Sequence, residues 1–172
     1  MKVYLIAGKA GSGKNEVARI IQEYEDKTIV TGLSKYIKLF AMEMTDWKGQ
    51  DLDKPRAFLQ NMGDTLRGID EDFLIKRMVE DFKVYEISGI ENVVISDVRL
   101  VHEVEYFKNL KDYEVITIRV NSEMSKRNLK TSEMIHHTET ELDDYSGYDY
   151  VIENKFNKEL KSDVKKILEG SL

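Results

Sequence analysis

Short apolar runs alternate along the chain with segments in which apolar residues recur at helical spacing. Strands that alternate with helices indicate a parallel sheet joined by right-handed crossovers, with helices on both faces. The predicted strands are residues 2–7, 28–30, 92–97, 113–120 and 148–152. The consecutive β-branched residues in 92–97 indicate burial on both faces, as in a parallel sheet. We therefore expect an α/β three-layer fold with a parallel sheet of about five strands.

Helical spacing predicts amphipathic helices between and after these strands. The first spans residues 15–25, and the second begins near Ser34. The apolar stripe expected for the second helix is Ile37, Phe40, Ala41 and Met44. A polar loop is expected at residues 47–55, and two helices follow it. Further helices follow the third strand and the last strand.

The composition is that of a globular protein without a membrane segment. Of the 172 residues, 41% are hydrophobic and 34% are charged, and the length suits one compact domain over residues 1–172. No apolar run is long enough to cross a bilayer, and since the first strand begins at residue 2 we expect no leader peptide. The lack of cysteine excludes disulfides, and the net charge of −6 disfavours general nucleic-acid binding. We expect a cytoplasmic protein with neither membrane nor nucleic acid as a partner.

A glycine-rich turn follows the first strand. Its residues are Gly8, Lys9, Ala10, Gly11, Ser12, Gly13, Lys14 and Asn15. They match the P-loop pattern, between an apolar strand and an amphipathic helix, and backbone N–H groups of such a loop point at phosphate oxygens. We expect this turn to bind ATP with Mg²⁺, with the catalytic cation of Lys14 beside the β and γ phosphates. Asn15 stands where serine or threonine normally ligates the metal, so its amide oxygen is the predicted ligand.

Three other segments carry further motif residues, at 54–70, 94–103 and 136–154. Taken in order with the P-loop, they resemble the phage-type and bacterial deoxynucleoside monophosphate kinases, within the P-loop nucleoside monophosphate kinases. In the middle segment the match comprises Val94, Ile95, Ser96, Asp97, Val98, Arg99 and Glu103. The three residues 100–102 depart from the family pattern. The resemblance implies a kinase that transfers the γ-phosphoryl group of ATP to a nucleoside monophosphate.

Asp97 and Arg99 are the predicted catalytic pair at the end of the third strand. A carboxylate at the end of a buried strand beside a P-loop is placed to orient the hydration shell of Mg²⁺. Arg99 would face the same crevice and bind the acceptor phosphate through its planar guanidinium. The alternative interpretation is that Asp97 caps the following helix and that Arg99 lies on the surface.

Several residues are predicted to bind the substrates. Helical spacing puts Arg56, Gln60 and Arg67 near one face, and the resemblance implies that this face binds the acceptor. The acceptor set is Ser34, Lys38, Arg56, Gln60, Arg67 and Arg99. Asn154 lies in the loop after the last strand, where this kinase group binds adenine. A solvated helix face is the alternative explanation for the α-helical arginines.

The charged segment at residues 122–145 has a weak apolar pattern and lies between two predicted strands. It is interpreted as a lid inserted in the domain, which would close over the phosphates and exclude water. Arg127 is its predicted catalytic residue, with Lys126 and Lys130 beside it. A charged surface helix without a catalytic part is the alternative.

The leading functional prediction is an ATP-dependent phosphotransferase that acts on a nucleoside or deoxynucleoside monophosphate, with ATP and Mg²⁺ as cofactors. A related small-molecule kinase, similar to dephospho-CoA or phosphomevalonate kinases, is the nearest alternative. A nucleotide-binding regulator without catalysis is the alternative from another class, and Asn15 keeps it open. The expected partner is a small phosphorylated substrate, and a homodimer is left open.

Overall fold

The computed structural model describes residues 1–123 and 141–170. Its strands are β1 (Lys2–Ala7), β2 (Thr28–Thr31), β3 (Asn92–Val98), β4 (Glu114–Asn121) and β5 (Tyr150–Glu153). The helices of the described part are α1 (Lys14–Tyr24), α2 (Lys35–Met44), α3 (Arg56–Ile69), α4 (Phe73–Ile87), α5 (Val101–Lys108) and α6 (Glu159–Leu168). The five predicted strands are confirmed, and their boundaries differ from the prediction by at most two residues.

The five strands form one parallel sheet in the order β2-β3-β1-β4-β5. The first strand is therefore central, with β3 and β4 as its neighbours. Ala7 at its end is paired with Val98 on one side and Arg119 on the other. The carboxyl ends of these three strands share one edge of the sheet, where the strand order reverses. Such an edge is where open α/β sheets bind ligands.

Helices cover both faces of the sheet, and β1 shows why its sequence is apolar throughout. Val3 and Leu5 belong to a core cluster that also contains residues of α4 and α5. Tyr4 and Ile6 belong to a second cluster, shared with α1 and α6. Because side chains alternate across a strand, both sets must be apolar when both faces are covered. The α/β three-layer fold of P-loop type is confirmed. No described helix combines the length and the apolarity needed to cross a bilayer.

The apolar stripe predicted for α2 is only half right. Ile37 and Ala41 are buried, whereas Phe40 is 45% exposed and Met44 is 65% exposed. The core covers only the row of side chains that contains Ile37 and Ala41, so Phe40 and Met44 on the neighbouring row face outward. Trp47, in the loop expected to be polar, is buried instead and donates its indole N–H to the Gln50 carbonyl at 2.7 Å.

The predicted lid lies largely outside the described residues. This applies to Arg127, Lys126 and Lys130, so their roles stay predictions. The last part of the predicted segment is described, and there Leu142 is buried in the core cluster that includes β1. Tyr145 packs edge-on against Tyr148, with ring centroids 4.9 Å apart. Residues 141–145 are thus attached to the domain.

Candidate functional site

The P-loop follows β1 directly, and its backbone passes close to neighbouring elements at two glycines. A Cβ at Gly8 would lie 2.4 Å from the Val120 carbonyl oxygen of β4. Gly13 has φ near +99°, and a Cβ there would lie 2.1 Å from the amide nitrogen of Asn154. Both positions therefore need glycine, because a side chain would force the loop away from the sheet edge.

Lys14 is folded back over the P-loop. Its ammonium group donates to the carbonyl oxygens of Gly8 at 2.5 Å and Lys9 at 2.8 Å. Burial lowers the pKa of Lys14 to about 8, Arg99 and Arg119 lower it as well, and Asp97 opposes them. The site thus keeps a cation in a place where other cations are close, an arrangement that favours an anionic ligand.

Asn154 supports the P-loop from the loop after β5. It is buried, and its side-chain amide donates to the Ser12 carbonyl at 2.9 Å and accepts the N–H of Phe156 at 2.8 Å. Its own N–H donates to the carbonyl of Asn121 at 2.8 Å. The role of Asn154 in nucleotide binding stays a prediction, and the contacts described for its side chain are with the protein. We interpret it as a residue that positions the loop.

An apolar cavity of about 450 Å³ adjoins Asn154 between α1 and α6. Ile20 and Leu160 form part of its wall, and the half-exposed ring of Phe156 lies at its side. Phe156 has a left-handed φ of 56°, which is costly for an aromatic residue and is typically found at functional sites. The cavity is wide and apolar enough for a planar ring system.

Asp97 contacts the loop that precedes α2. Its carboxylate accepts the N–H of Leu33 at 2.7 Å, the N–H of Ser34 at 3.0 Å, and the Ser34 hydroxyl. Gly32 allows this approach, since a Cβ there would lie 2.5 Å from a carboxylate oxygen. Asp97 therefore caps the turn into α2. The alternative that it caps the following helix is wrong, because the N–H of Leu100, just before α5, binds Glu103 and the N–H of Val101, its first residue, binds Glu141.

The predicted acceptor cations are brought together around Arg99. Burial lowers the pKa of Arg99, with Asp97 and Glu103 raising it and Arg67 and Arg56 lowering it. The pKa of Lys54 is lowered by burial and then by Lys38, Arg56 and Arg99 in turn, against the opposing effect of Asp51. These influences indicate that the cations of α2, of α3 and of the end of β3 lie near one another, and Glu103 joins the last two by binding both Arg67 and the N–H of Arg99. The cluster is Lys38, Lys54, Arg56, Arg67 and Arg99.

Glu103 joins two of these elements through one buried carboxylate. The residue is 1% exposed, and one oxygen accepts the Arg67 guanidinium at 2.9 Å. The other accepts the N–H of Arg99 at 2.9 Å and of Leu100 at 3.2 Å. Sequence reasoning did not propose a role for Glu103, although its place in the matched segment was a signal. It fixes the position of α3 against the end of β3.

The other side of the P-loop carries a second ion-paired group. Asp143 accepts the Lys9 ammonium at 2.6 Å and the Arg119 guanidinium at 3.2 Å. Arg119 also donates to the side chain of Asn121 at 3.2 Å. Arg119, Asp143 and Lys54 were not among the predicted site residues, although Lys54 and Asp143 lie in the matched segments. The only signal for Arg119 was its place near the carboxyl end of a strand.

Two further predicted site residues, Asn15 and Gln60, lie on α1 and α3. Asn15 is exposed in the first turn of α1, and Gln60 is half-buried on α3 between Arg56 and Arg67. Within residues 1–123 and 141–170, no three carboxylate, histidine or cysteine groups converge to hold a metal ion. A carboxylate has about four acceptor positions, of which Asp97 uses three. Asn15 and Asp97 thus fit Mg²⁺ only as minor ligands, or through water, of an ion bound mainly by phosphates.

Comparison with known proteins gives relatives and a fold but no reaction. No protein-family model matches the chain. Its homologues are UPF0200 proteins of Saccharolobus islandicus (strain Y.G.57.14) and Saccharolobus solfataricus (strain P2), each 34% identical over 124 residues. The match covers 71% of this chain and 58% of each relative, so the chain spans little more than half of their length.

A solved structure supports the fold assignment. TT1252 from Thermus thermophilus superposes with a TM-score of 0.55 and 16% sequence identity, over 98% of this chain and 95% of TT1252. At that identity the likeness concerns the fold alone. Membership of the deoxynucleoside monophosphate kinases therefore stays a prediction.

Proposed function

We propose that this chain is an ATP-dependent phosphotransferase that moves the γ-phosphoryl group of ATP onto a nucleoside or deoxynucleoside monophosphate. The observation that supports this most strongly is the pair of adjoining cation groups at the carboxyl edge of the sheet. Lys14 belongs to the P-loop, and Arg99 lowers its pKa from the neighbouring cluster. A protein that only bound a triphosphate would have little use for the second group.

The cation cluster around Arg99 suits a second phosphate. Three of its members are arginines, whose planar fork binds phosphate oxygens through two hydrogen bonds. Partial burial of Arg99 limits the water that would compete for the ligand. A monophosphate bound there would face the γ-phosphate beside Lys14. Phosphoryl transfer needs mainly such alignment and charge neutralisation.

The donor base has a suitable place in the cavity beside Phe156. Ile20, Leu160 and Phe156 are the apolar residues of its wall, and it lies next to the loop that supports the P-loop. When Mg²⁺ is bound with ATP, it neutralises charge on the β and γ phosphates. Asn15 and Asp97 are the residues that would contact it or its waters. The protein itself contributes the alignment of the two phosphates.

An acceptor screen tests the proposed reaction. ADP formation is measured with ATP and Mg²⁺ against dAMP, dGMP, dCMP, dTMP and the ribonucleotides, with dephospho-CoA and phosphomevalonate as further arms. We expect at least one monophosphate to support turnover. Turnover only on dephospho-CoA or phosphomevalonate would make the chain a related small-molecule kinase. ATP binding without turnover on any acceptor would contradict the proposal.

Replacing Arg99 or Arg56 with alanine is expected to damage acceptor use while ATP affinity stays near that of the parent protein. The acceptor phosphate loses a charged donor in each variant, and such a loss costs about 2–5 kcal/mol when the pair is buried. The KM for the acceptor and the Kd for ATP are measured separately. Arg77→Ala on the exposed face of α4 is the matched control. A collapse of ATP affinity with an unchanged acceptor KM would show that the assignment is wrong.

The low pKa of Lys14 predicts that ATP affinity falls as pH rises above about 8. Below that pH the amine is already charged in the free protein, and phosphates stabilise it. Above it the free amine is neutral, so ATP binding must take up a proton, which weakens binding by up to about tenfold per pH unit. Calorimetry from pH 7 to pH 9 measures both affinity and proton uptake. Equal affinity across that range, or the same pH dependence in Lys14→Ala, would show that Lys14 is not the source of a pH-dependent ATP affinity.

A nucleotide-binding regulator is the second candidate, and two observations favour it. Asp97 already accepts hydrogen bonds from Leu33 and Ser34, and Asn15 replaces the usual hydroxyl ligand. Both features weaken metal binding by the protein. A regulator would bind ATP without acceptor-dependent ADP release, so the acceptor screen separates the two candidates.

A further inference from the structure

A second polar cavity lies between the C-terminal half of α3 and the start of α5. Its volume is about 690 Å³, and α3 contributes Asp64 and Arg67 to its wall. Glu71 follows α3, His102 lies in the first turn of α5, and Glu141 closes another side. None of these residues except Arg67 has a role in the phosphate sites described above. The cavity is within the size range of small-molecule sites.

This cavity adjoins the cation cluster, because Arg67 belongs to both. Arg67 belongs to its wall and is bound by Glu103, which also accepts the N–H groups of Arg99 and Leu100. Leu100 is itself part of the wall. A phosphate bound by Arg99 and Arg67 would therefore leave the rest of its molecule at the mouth of the cavity.

The wall is rich in hydrogen-bond acceptors. Asp64, Glu71 and Glu141 contribute carboxylates, which accept but do not donate when ionised. One oxygen of Glu141 accepts the N–H of Val101 at 2.9 Å, which fixes that side chain at the wall. His102 has its Nδ1 3.7 Å from Glu71, and its Nε2 is without a hydrogen-bond partner in the described part of the chain. Such a wall favours ligands that present N–H groups.

We propose, on the basis of the proposed function, that this cavity binds the nucleoside part of the acceptor and selects bases with an exocyclic amino group. Guanine, adenine and cytosine carry that group, and a carboxylate accepts its N–H in nucleic-acid recognition as well. Uracil and thymine present a carbonyl oxygen at the corresponding place. A carbonyl oxygen next to a carboxylate would leave both acceptors unpaired, which is unfavourable.

Two matched ligand pairs test the inference by equilibrium binding to the whole chain. dCMP and dUMP differ by an amino group against a carbonyl, and dGMP and dIMP differ by the 2-amino group. We expect dCMP to bind at least about 10-fold more tightly than dUMP, and dGMP more tightly than dIMP. Equal affinities within both pairs would overturn the inference, as would the lack of binding by all four.

Variants of the cavity wall identify the residues that select the base. Asp64→Asn and Glu71→Gln keep the side-chain shape but add an N–H₂ donor, so each should bring the affinities of dCMP and dUMP closer together. Glu80→Gln, an exposed carboxylate on α4, should leave the preference unchanged. A preference that survives in the Asp64→Asn/Glu71→Gln double variant would overturn the assignment to this cavity.

Binding tests this inference and turnover tests the proposed reaction, so the failure of one can be distinguished from the failure of the other. Selective binding without acceptor-dependent ADP formation would support the cavity and contradict the kinase. Turnover that is equal for dCMP and dUMP, with equal binding, would support the kinase and overturn the inference.

Discussion

Replacing Lys14 with alanine is expected to lower phosphoryl transfer at least ~100-fold and to leave the fold intact. In the proposed reaction this residue supplies the cation beside the β and γ phosphates. Its ammonium contacts only the carbonyl oxygens of Gly8 and Lys9 among the hydrogen bonds described. Removing a buried amine whose pKa is lowered relieves desolvation, so the midpoint of thermal unfolding should change little.

A coupled ADP assay with the best acceptor from the screen measures this loss. Lys83→Ala is the matched control, because Lys83 is an exposed lysine on α4 paired with Glu80. It should retain the activity of the parent protein. Lys14→Ala with undiminished turnover would refute the assignment of the P-loop as the donor site.

Replacing Glu103 with alanine is expected to cost about 3 kcal/mol of stability, since it removes one partner of a buried ion pair. The Arg67 guanidinium and the N–H groups of Arg99 and Leu100 all lose their acceptor in this variant. The acceptor KM should rise as well, because the Arg67 guanidinium loses the carboxylate that positions it. Denaturant unfolding measures the first effect, and steady-state kinetics of the residual folded protein measure the second.

Two further variants show how much of the effect of Glu103→Ala comes from the lost charge and how much from the buried position of this carboxylate. Glu103→Gln retains an acceptor oxygen but loses the charge, so it should destabilise the fold less than alanine does while still raising the acceptor KM. Glu80→Ala removes an exposed paired carboxylate and should cost less than about 1 kcal/mol. If Glu103→Ala were no more destabilising than Glu80→Ala, the central place given to this carboxylate would be wrong.

Much of the fold was predictable because its signals are local. A strand buried on both faces needs a continuous apolar run, and β1 and β3 show one in the printed sequence. The P-loop is equally local, since its glycines and Lys14 lie within residues 8–14, directly after a strand. The exposure of Phe40 and Met44 was not predictable, because it depends on how much of α2 the rest of the chain covers.

The contacts of the site were less predictable, because they join residues far apart in the sequence. Asp97 binds Ser34, and Asn154 binds Ser12, although no short motif contains either pair. Arg119 is a single cation in a strand whose pattern indicates only burial, and Lys54 begins a matched segment in which no role was assigned to it. Their importance depends on the sheet order, which brings the end of β4 and the start of α3 to the P-loop edge.

The sheet order also has a consequence for how the chain reaches its fold. The central strand is made first, yet Lys2 is paired with Asn92 and with Glu114. β1 is therefore without a neighbouring strand during synthesis until β3 has left the ribosome. An apolar strand with unpaired edges is prone to associate with other chains in that interval.

Pairing of this kind, between distant segments, closes large loops and slows folding. We expect slow refolding, with yields that fall as protein concentration rises. Nascent chains that end before residue 98 should depend on chaperones for solubility. Most of the sheet can form only when the strand that carries Asp97 is complete, so the P-loop would become ordered late, together with the acceptor side of the crevice.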